Sequence, residues 1–242
     1  MKIKKPKFWD YKSPNIFAYL LLPFSFITFV INYVKKDFFV KKWIDNRQTI
    51  AIICVGNIYI GGTGKTPISI EINKILKNLN FKTAFIKKNY NDQIDEQKLL
   101  SSNGKLFCEK NRTDAIKKAI KENIEVAILD DGLQDGRLSY INYLSFVCFN
   151  AQNWIGNGFL LPAGPLRENL NYLKKYDAVF LNGNGEEVLS IKNIIKNINL
   201  NLKIFESQYT PMNLKNFDLN QNYLSFSGIG DPNSFLTTLK KK

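Results

Sequence analysis

The stretch TIAIICV-GNIYIGGTGKTP-ISIEINKILKNL, residues 49–79, decides the fold of this chain. Residues 49–55 form a continuous apolar, largely β-branched run, which is typical of a buried strand. A glycine-rich loop follows, and residues 68–79 then show the apolar periodicity of an amphipathic helix. Strand, glycine loop and helix in this order predict a phosphate-binding loop in an α/β protein with a doubly wound, mainly parallel sheet.

Each part of the loop suits a nucleotide phosphate, so the predicted fold is P-loop NTPase-like. Glycines let backbone N–H groups turn towards phosphate oxygens, and the helix that follows adds the positive end of its dipole. Lys65 supplies a point charge for the β- and γ-phosphates, and the Thr66 hydroxyl suits Mg²⁺. The predicted nucleotide-binding residues are Tyr59, Ile60, Gly61, Gly62, Thr63, Gly64, Lys65 and Thr66. Tyr59 departs from the usual G-x-x-x-x-G-K-[ST] pattern, and a glycine turn that ends in Gly-Lys-Thr by chance is the alternative.

A second apolar run, residues 125–129, ends in the acidic pair Asp130 and Asp131. Because the carboxyl ends of parallel strands converge on the ligand crevice, we expect this pair to face the triphosphate and its metal, as Walker-B acids do. Asp-Asp-Gly is also ordinary turn chemistry, so a solvated turn is the alternative. Further on, the apolar, Pro- and Gly-containing stretch 153–168 predicts a rigid loop that presents an Arg-Glu pair.

The amino-acid composition excludes several classes of mechanism, fold and partner. The 242 residues contain no His, which excludes a Ser/His/Asp or Cys/His mechanism within this sequence. An apolar content of 45% excludes disordered and fibrous classes. The three cysteines lie far apart, so no disulfide framework or metal knuckle is predicted and a reducing compartment fits. The net charge of +13 is dispersed, which a compositional bias explains as well as an anionic partner does; we predict no nucleic-acid partner and no obligatory protein partner.

The amino-terminal part contains an apolar stretch, residues 16–34, without any charged side chain. As a helix it would be about 28 Å long, close to the hydrocarbon thickness of a bilayer. Lysines precede and follow it, and aromatic residues lie near both ends. We therefore predict a membrane-associated helix and leave open whether it spans the bilayer or lies in its interface. A buried core helix is the alternative.

Four motifs resemble the tetraacyldisaccharide 4'-kinase family, which phosphorylates the 4' hydroxyl of the lipid A disaccharide precursor at the cytoplasmic face of the inner membrane. They are VGNIYIGGTGKTP (55–67), DDGLQ (130–134), GNGFLLPAGPLRE (156–168) and FSGIGDPNSF (226–235). The resemblance implies ATP and Mg²⁺ as cofactors. It also implies the tetraacyldisaccharide 1-phosphate precursor and membrane lipid as partners.

The resemblance assigns residues to roles as well. Residues 87–90 and 94–97 correspond to the S-R-G-Y and G-D-E-P elements of the family. The residues implied are Asp95 and Lys65 for catalysis, Thr66, Asp130, Asp131 and Glu168 for the metal, and Asn57, Tyr90 and Arg167 for the substrate.

Two departures from the family bear on activity. The acidic motif of the family continues to His where this chain has Asp135, and the catalytic His of the family lies beyond the G-I-G element. We therefore expect a truncated carboxyl-terminal portion, with residues 1–45 as membrane-associated helix and basic linker, 46–170 as P-loop kinase core and 171–242 as the start of a carboxyl-terminal lobe. Two alternatives are an ATP-binding membrane protein of this family with impaired catalysis and an unrelated P-loop GTPase or metallochaperone. A GTPase requires an N/T-K-x-D motif and a metallochaperone requires clustered Cys/His ligands, and the sequence lacks both.

Overall fold

The computed structural model describes residues 5–38, 50–90, 93–138, 141–183, 185–210, 217–218, 220–226, 235–236 and 239. The strands in these parts are β1 Ala51–Gly56, β2 Thr83–Lys88, β3 Leu106–Glu109, β4 Val126–Asp130, β5 Leu144–Asn150, β6 Ala178–Asn182 and β7 Lys203–Ser207. The α-helices are α1 Ile16–Phe38, α2 Lys65–Asn78, α3 Ile94–Asn103, α4 Arg112–Lys121 and α5 Glu186–Ile198. Short 3₁₀ helices cover Lys7–Asp10, Gly136–Leu138 and Leu170–Lys175.

The seven strands form one sheet in the order β3-β2-β4-β1-β5-β6-β7, and every pairing is parallel. β1 lies at the centre and is covered on both faces, because Ile52 and Cys54 belong to one core cluster and Ile53 and Val55 to the other. Such two-sided burial explains why this strand reads as a continuous apolar run.

Helices cover both faces of the sheet. α4 and α5 contribute buried residues such as Ile116 and Ile191 to the first core cluster. α2 and α3 contribute Ile70 and Leu100 to the second. The doubly wound α/β fold is thereby confirmed, with a sheet that is parallel throughout the described residues.

Several element boundaries differ from the predicted ones. α2 begins at Lys65, three residues early, because Gly64 takes a left-handed φ of +85° and Pro67 fits the first turn of a helix. Four elements between the phosphate loop and the acidic pair were not predicted: β2, α3, β3 and α4.

β6 and β7 continue the same sheet, so the boundary predicted at residue 170 falls inside it. The sequence pattern predicts strands at 178–181 and 202–205 and a helix near 188–198, close to where β6, β7 and α5 lie. It also predicts a strand over 223–227, which is wrong for 223–226 because these residues are in no strand. The turn and helix start that it predicts over 228–234 lie outside the described residues.

Two small residues of α1, Ala18 and Ser25, attach this helix to the rest of the protein and are buried. The Ser25 hydroxyl donates to the Leu160 carbonyl at 2.8 Å and accepts from the Ala163 N–H at 3.1 Å. Many large apolar side chains of α1 are exposed: Ile16, Phe17, Tyr19, Leu20, Phe24, Phe26 and Ile27. The alternative of a buried core helix is therefore wrong. Among the helices that the structure describes, none combines the length and the hydropathy needed to cross a membrane.

Candidate functional site

The phosphate loop joins β1 to α2 and is shaped from within by Asn57. The Asn57 amide donates to the Tyr59 carbonyl at 2.6 Å and to the Thr63 hydroxyl at 3.0 Å. Asn57 is fully buried, whereas Gly61 and Gly62 are exposed. The structure therefore places the Asn57 amide group inside the loop, and the substrate contact implied by the resemblance stays a prediction.

The first turn of α2 presents Lys65 and Thr66. No side chain in the described residues caps this helix at Gly64, so its first N–H groups remain available to an anion. Lys65 is half-buried and Thr66 is buried. A lysine and a threonine on the first turn of a helix after a glycine loop are typical of nucleotide-phosphate sites.

The Asp130 carboxylate lies beside the phosphate loop, because β4 pairs with β1 and sets Asp130 opposite Val55. Its oxygens accept from the Thr66 hydroxyl and the Ser69 hydroxyl, each at 3.3 Å. Lys87 Nζ lies 2.7 Å from Asp130 Oδ2. The predicted metal-binding pair Thr66 and Asp130 thus meets at one place.

Sequence reasoning missed Ser69 and Lys87 as members of this site. Ser69 lies three residues after Thr66, a spacing that places both on one face of a helix. Lys87 is near the carboxyl end of β2, at the same edge of the sheet as Asp130. A correct start for α2 would have placed Ser69 beside Thr66, and a prediction of β2 would have placed Lys87 at the same sheet edge as Asp130.

The second acid of the pair, Asp131, contacts Arg167. Arg167 Nη1 lies 2.9 Å from Asp131 Oδ1 and 3.3 Å from Gln134 Oε1. Burial alone would raise the pKa of Asp131, but the charges of Lys65 and Arg167 lower it below its ordinary value. The structure therefore brings Lys65, Asp131 and Arg167 together as charged groups around the loop.

Glu168 directly follows Arg167 in the chain. It is buried, and its carboxylate accepts a hydrogen bond from the Tyr176 hydroxyl. Burial raises the pKa of Tyr176, and the negative charge of Glu168 raises it further. No three His, Cys, Asp or Glu side chains of the described chain lie close enough to hold a metal ion. Asp130, Asp131 and Glu168 therefore do not form one preformed carboxylate cage.

Tyr90 follows the end of β2, and Asp95 belongs to α3. Asp95 is exposed in the first turn of α3. Its neighbour Glu96 is the residue that reaches towards Asp130, with Glu96 Oε2 2.6 Å from Lys87 Nζ. Tyr90 is partly exposed, and Lys88 Nζ lies 4.8 Å from its ring centroid.

Asp135 is buried between two arginines. Arg112 Nη1 and Arg137 Nε lie 3.1 Å and 2.8 Å from its carboxylate oxygens. Burial would raise the pKa of Asp135, but hydrogen bonds from Arg137 and the charge of Arg112 lower it. Asp135 thus ties α4 to the acidic loop, residues 130–137.

Tyr59 connects the phosphate loop to the amino-terminal segment, residues 5–25. Its hydroxyl accepts from Lys5 Nζ at 2.5 Å and donates to the Asp10 carboxylate. Nearby, the Trp9 carbonyl accepts from the Asn157 N–H at 3.0 Å. The predicted nucleotide-binding loop is therefore also the place where this segment docks.

Comparisons with known proteins agree with this geometry. The tetraacyldisaccharide-1-P 4'-kinase family matches residues 17–106 and 93–242. A tetraacyldisaccharide 4'-kinase of Pelagibacter ubique (strain HTCC1062) is 55% identical over 240 residues, covering 99% of this chain and 74% of that protein. One from Rickettsia canadensis (strain McKiel) is 34% identical over 258 residues, with 99% and 74% covered.

The same fold occurs in a solved structure, the "apo" form of LpxK from Aquifex aeolicus in complex with ATP. The TM-score is 0.56 at 19% identity, over 88% of this chain and 87% of that one. The reading of the motifs as an unrelated GTPase or metallochaperone is thus wrong. With a matching family over nearly the whole chain and a relative 55% identical, the chain belongs to the tetraacyldisaccharide-1-P 4'-kinase family.

Proposed function

We propose that this chain transfers the γ-phosphoryl group of ATP to the 4' hydroxyl of tetraacyldisaccharide 1-phosphate, the lipid A precursor. One observation carries the proposal: the Thr66 hydroxyl meets the buried Asp130 carboxylate at 3.3 Å beside a Gly-Lys-Thr loop. The names of the relatives supply the acceptor, and an LpxK crystallised with ATP supports the donor.

Transfer of a phosphoryl group depends mainly on positioning and charge neutralisation. Lys65, on the first turn of α2, neutralises the charge of the transferring group. Arg167 holds the charged Asp131 at the mouth of the loop. Asp95 is exposed and accepts the proton of the acceptor hydroxyl, which is a smaller contribution because the transition state is loose.

Magnesium fits the chemistry of these residues. Mg²⁺ is commonly held by one or two protein oxygens together with waters and substrate phosphates, so a carboxylate cage is not required. Thr66 and Asp130 would hold it, with Asp131 contributing to the surrounding negative charge. When bound, the ion supplies neutralisation of the phosphate oxygens. Glu168 is assigned here to the architecture of the site, because its carboxylate is engaged by Tyr176.

We also propose that the chain works at the cytoplasmic face of the inner membrane, through α1. The support is the set of exposed aromatic and aliphatic side chains on this helix, because an exposed apolar surface of this kind marks a contact site for a membrane or a partner. Because the acceptor is a lipid, a membrane-associated helix would bring the phosphate loop close to it. Flotation of the full chain with liposomes, and its loss after Phe17→Asp, Leu20→Asp and Phe24→Asp, tests this proposal.

A second candidate function is ATP binding without turnover. It is favoured by Asp135, which stands where the family motif has His and is held by two arginines. In that position it supports the acidic loop, and its lowered pKa makes it a much weaker proton acceptor than a His.

Transfer and binding are separable by experiment. The full chain in mixed micelles is incubated with tetraacyldisaccharide 1-phosphate and γ-labelled ATP, and binding of a fluorescent ATP analogue is measured in parallel. We expect label in the lipid product, and none with Lys65→Ala. Nucleotide binding without labelled lipid would support the second candidate and overturn the first.

A further inference from the structure

Lys87 is a buried cation that no role described so far requires. Only 1% of its side chain is exposed, although lysine is seldom buried unless it is paired. Its Nζ lies 2.7 Å from Asp130 Oδ2 and 2.6 Å from Glu96 Oε2. It therefore bridges the nucleotide side of the site to the first turn of α3.

The two halves of this bridge differ in environment. Asp130 is fully buried, so it neutralises the Lys87 charge where solvent cannot. Burial alone would lower the pKa of Lys87, but Asp130 and Glu96 raise it, so the ammonium stays charged. The Glu96 side chain is 45% exposed and is not needed for neutrality. Its contact with Lys87 joins α3 to β2.

At the start of α3, the Gln93 side chain forms no capping hydrogen bond. The Gln97 amide donates to the Tyr90 carbonyl at 3.0 Å, and Glu96 adds an ionic contact with the buried Lys87. The first buried side chain of α3 is Leu100, almost two turns later. Asp95 precedes Glu96 directly, so any movement of the first turn moves Asp95 with respect to Asp130.

We propose that Lys87 is a positioning residue for phosphoryl transfer, which holds Asp130 and Glu96 together and thereby fixes Asp95 relative to the nucleotide site. This inference rests on the proposed kinase function. Small displacements of a reacting group have large effects, and about 1 Å of misplacement can cost roughly 100-fold in rate.

Glu96→Gln is the informative variant, because it removes the exposed half of the bridge and leaves the buried pair with Asp130 in place. The matched control is Glu71→Gln, since Glu71 is exposed on α2 and forms an ordinary surface pair with Lys74 at 3.2 Å. For both variants of the full chain, kcat, KM for ATP and KM for the lipid are measured, together with amide exchange over Ile94–Asn103.

We expect Glu96→Gln to lower kcat roughly 10-fold with KM for ATP within about twofold, because the nucleotide pocket is intact. Amide exchange in the first turn of α3 increases, and Glu71→Gln changes neither quantity. In an Asp95→Asn background the Glu96→Gln change has little further effect on kcat, since both act through the same group. Lys87→Arg retains more kcat than Lys87→Met.

Three results would overturn the inference while the wild-type chain is active. They are an unchanged kcat in Glu96→Gln, unchanged exchange in α3, or a full additional loss of kcat in the Asp95→Asn background. The last result would mean that Glu96 acts independently of Asp95. Failure of the proposed function is recognised separately, by the absence of labelled lipid with the unsubstituted protein.

Discussion

Replacing Tyr59 by phenylalanine removes one oxygen atom, the one that joins the phosphate loop to the amino-terminal segment. That oxygen accepts from Lys5 and donates to Asp10. A buried hydrogen bond to a charged partner is worth about 1.5–3 kcal/mol. The Lys5 and Asp10 side chains are 28% and 42% exposed. Solvent screening therefore reduces the combined contribution of the two hydrogen bonds to about 1–2 kcal/mol.

A loss of about 1–2 kcal/mol changes an equilibrium roughly 5- to 30-fold, which sets the expected size of the effect. The readout is hydrogen exchange at the Asn157 N–H, whose acceptor is the Trp9 carbonyl of the docked segment. We expect this amide to exchange about 5- to 30-fold faster in Tyr59→Phe, because the segment detaches more often.

The matched control is Tyr11→Phe, which removes the same atom from an exposed tyrosine of the same segment. It should leave exchange at Asn157 unchanged. Equal exchange rates in wild type and Tyr59→Phe would refute the reasoning, because the hydroxyl would then contribute nothing to docking. Equal acceleration by both variants would refute it as well.

Three further predictions concern the charged groups. Lys65→Ala should abolish most transfer and cost more than Asp95→Ala in rates measured across pH, because charge stabilisation exceeds proton removal in a loose transition state; an equal loss would contradict this. Tyr176→Phe should lower the free energy of unfolding by about 1.5–3 kcal/mol in urea titrations, since a buried Glu168 loses a donor; an unchanged midpoint argues against it. The lowered pKa of Asp135 predicts stability that is present above about pH 4 and is lost as pH falls through the folded-state pKa; Asp135→Asn should flatten this part of the urea-midpoint profile.

The central part of the fold could be predicted because local and global signals agree there. β1 is buried on both faces, so its apolar run is uninterrupted, and the strand and helix around the glycine loop favour a phosphate-binding loop over a chance turn. Thr66 was predicted from the loop and Asp130 from the end of its strand, and the structure places them in contact.

The missed elements have physical reasons. β2 ends in two lysines and β3 has only four residues, so neither shows a clear strand pattern. Lys87 reads as a surface residue in isolation, and its burial depends on a carboxylate 43 positions away. The resemblance implied Glu168 as a metal ligand, and in the structure its carboxylate accepts from the Tyr176 hydroxyl, a contact 8 positions along the chain that the motif itself does not show.

The sheet order also has a consequence for synthesis of the chain. β1 pairs with β4 and β5, and its first partner residue in β4 follows about 75 residues later in the sequence. At about 5–20 residues per second, the ribosome needs roughly 4–15 s to deliver that partner. During this interval an apolar strand with two unpaired edges has left or is leaving the ribosome. Newly made chains of this protein should therefore depend on chaperones more than those of a protein whose central strand pairs with its sequence neighbour.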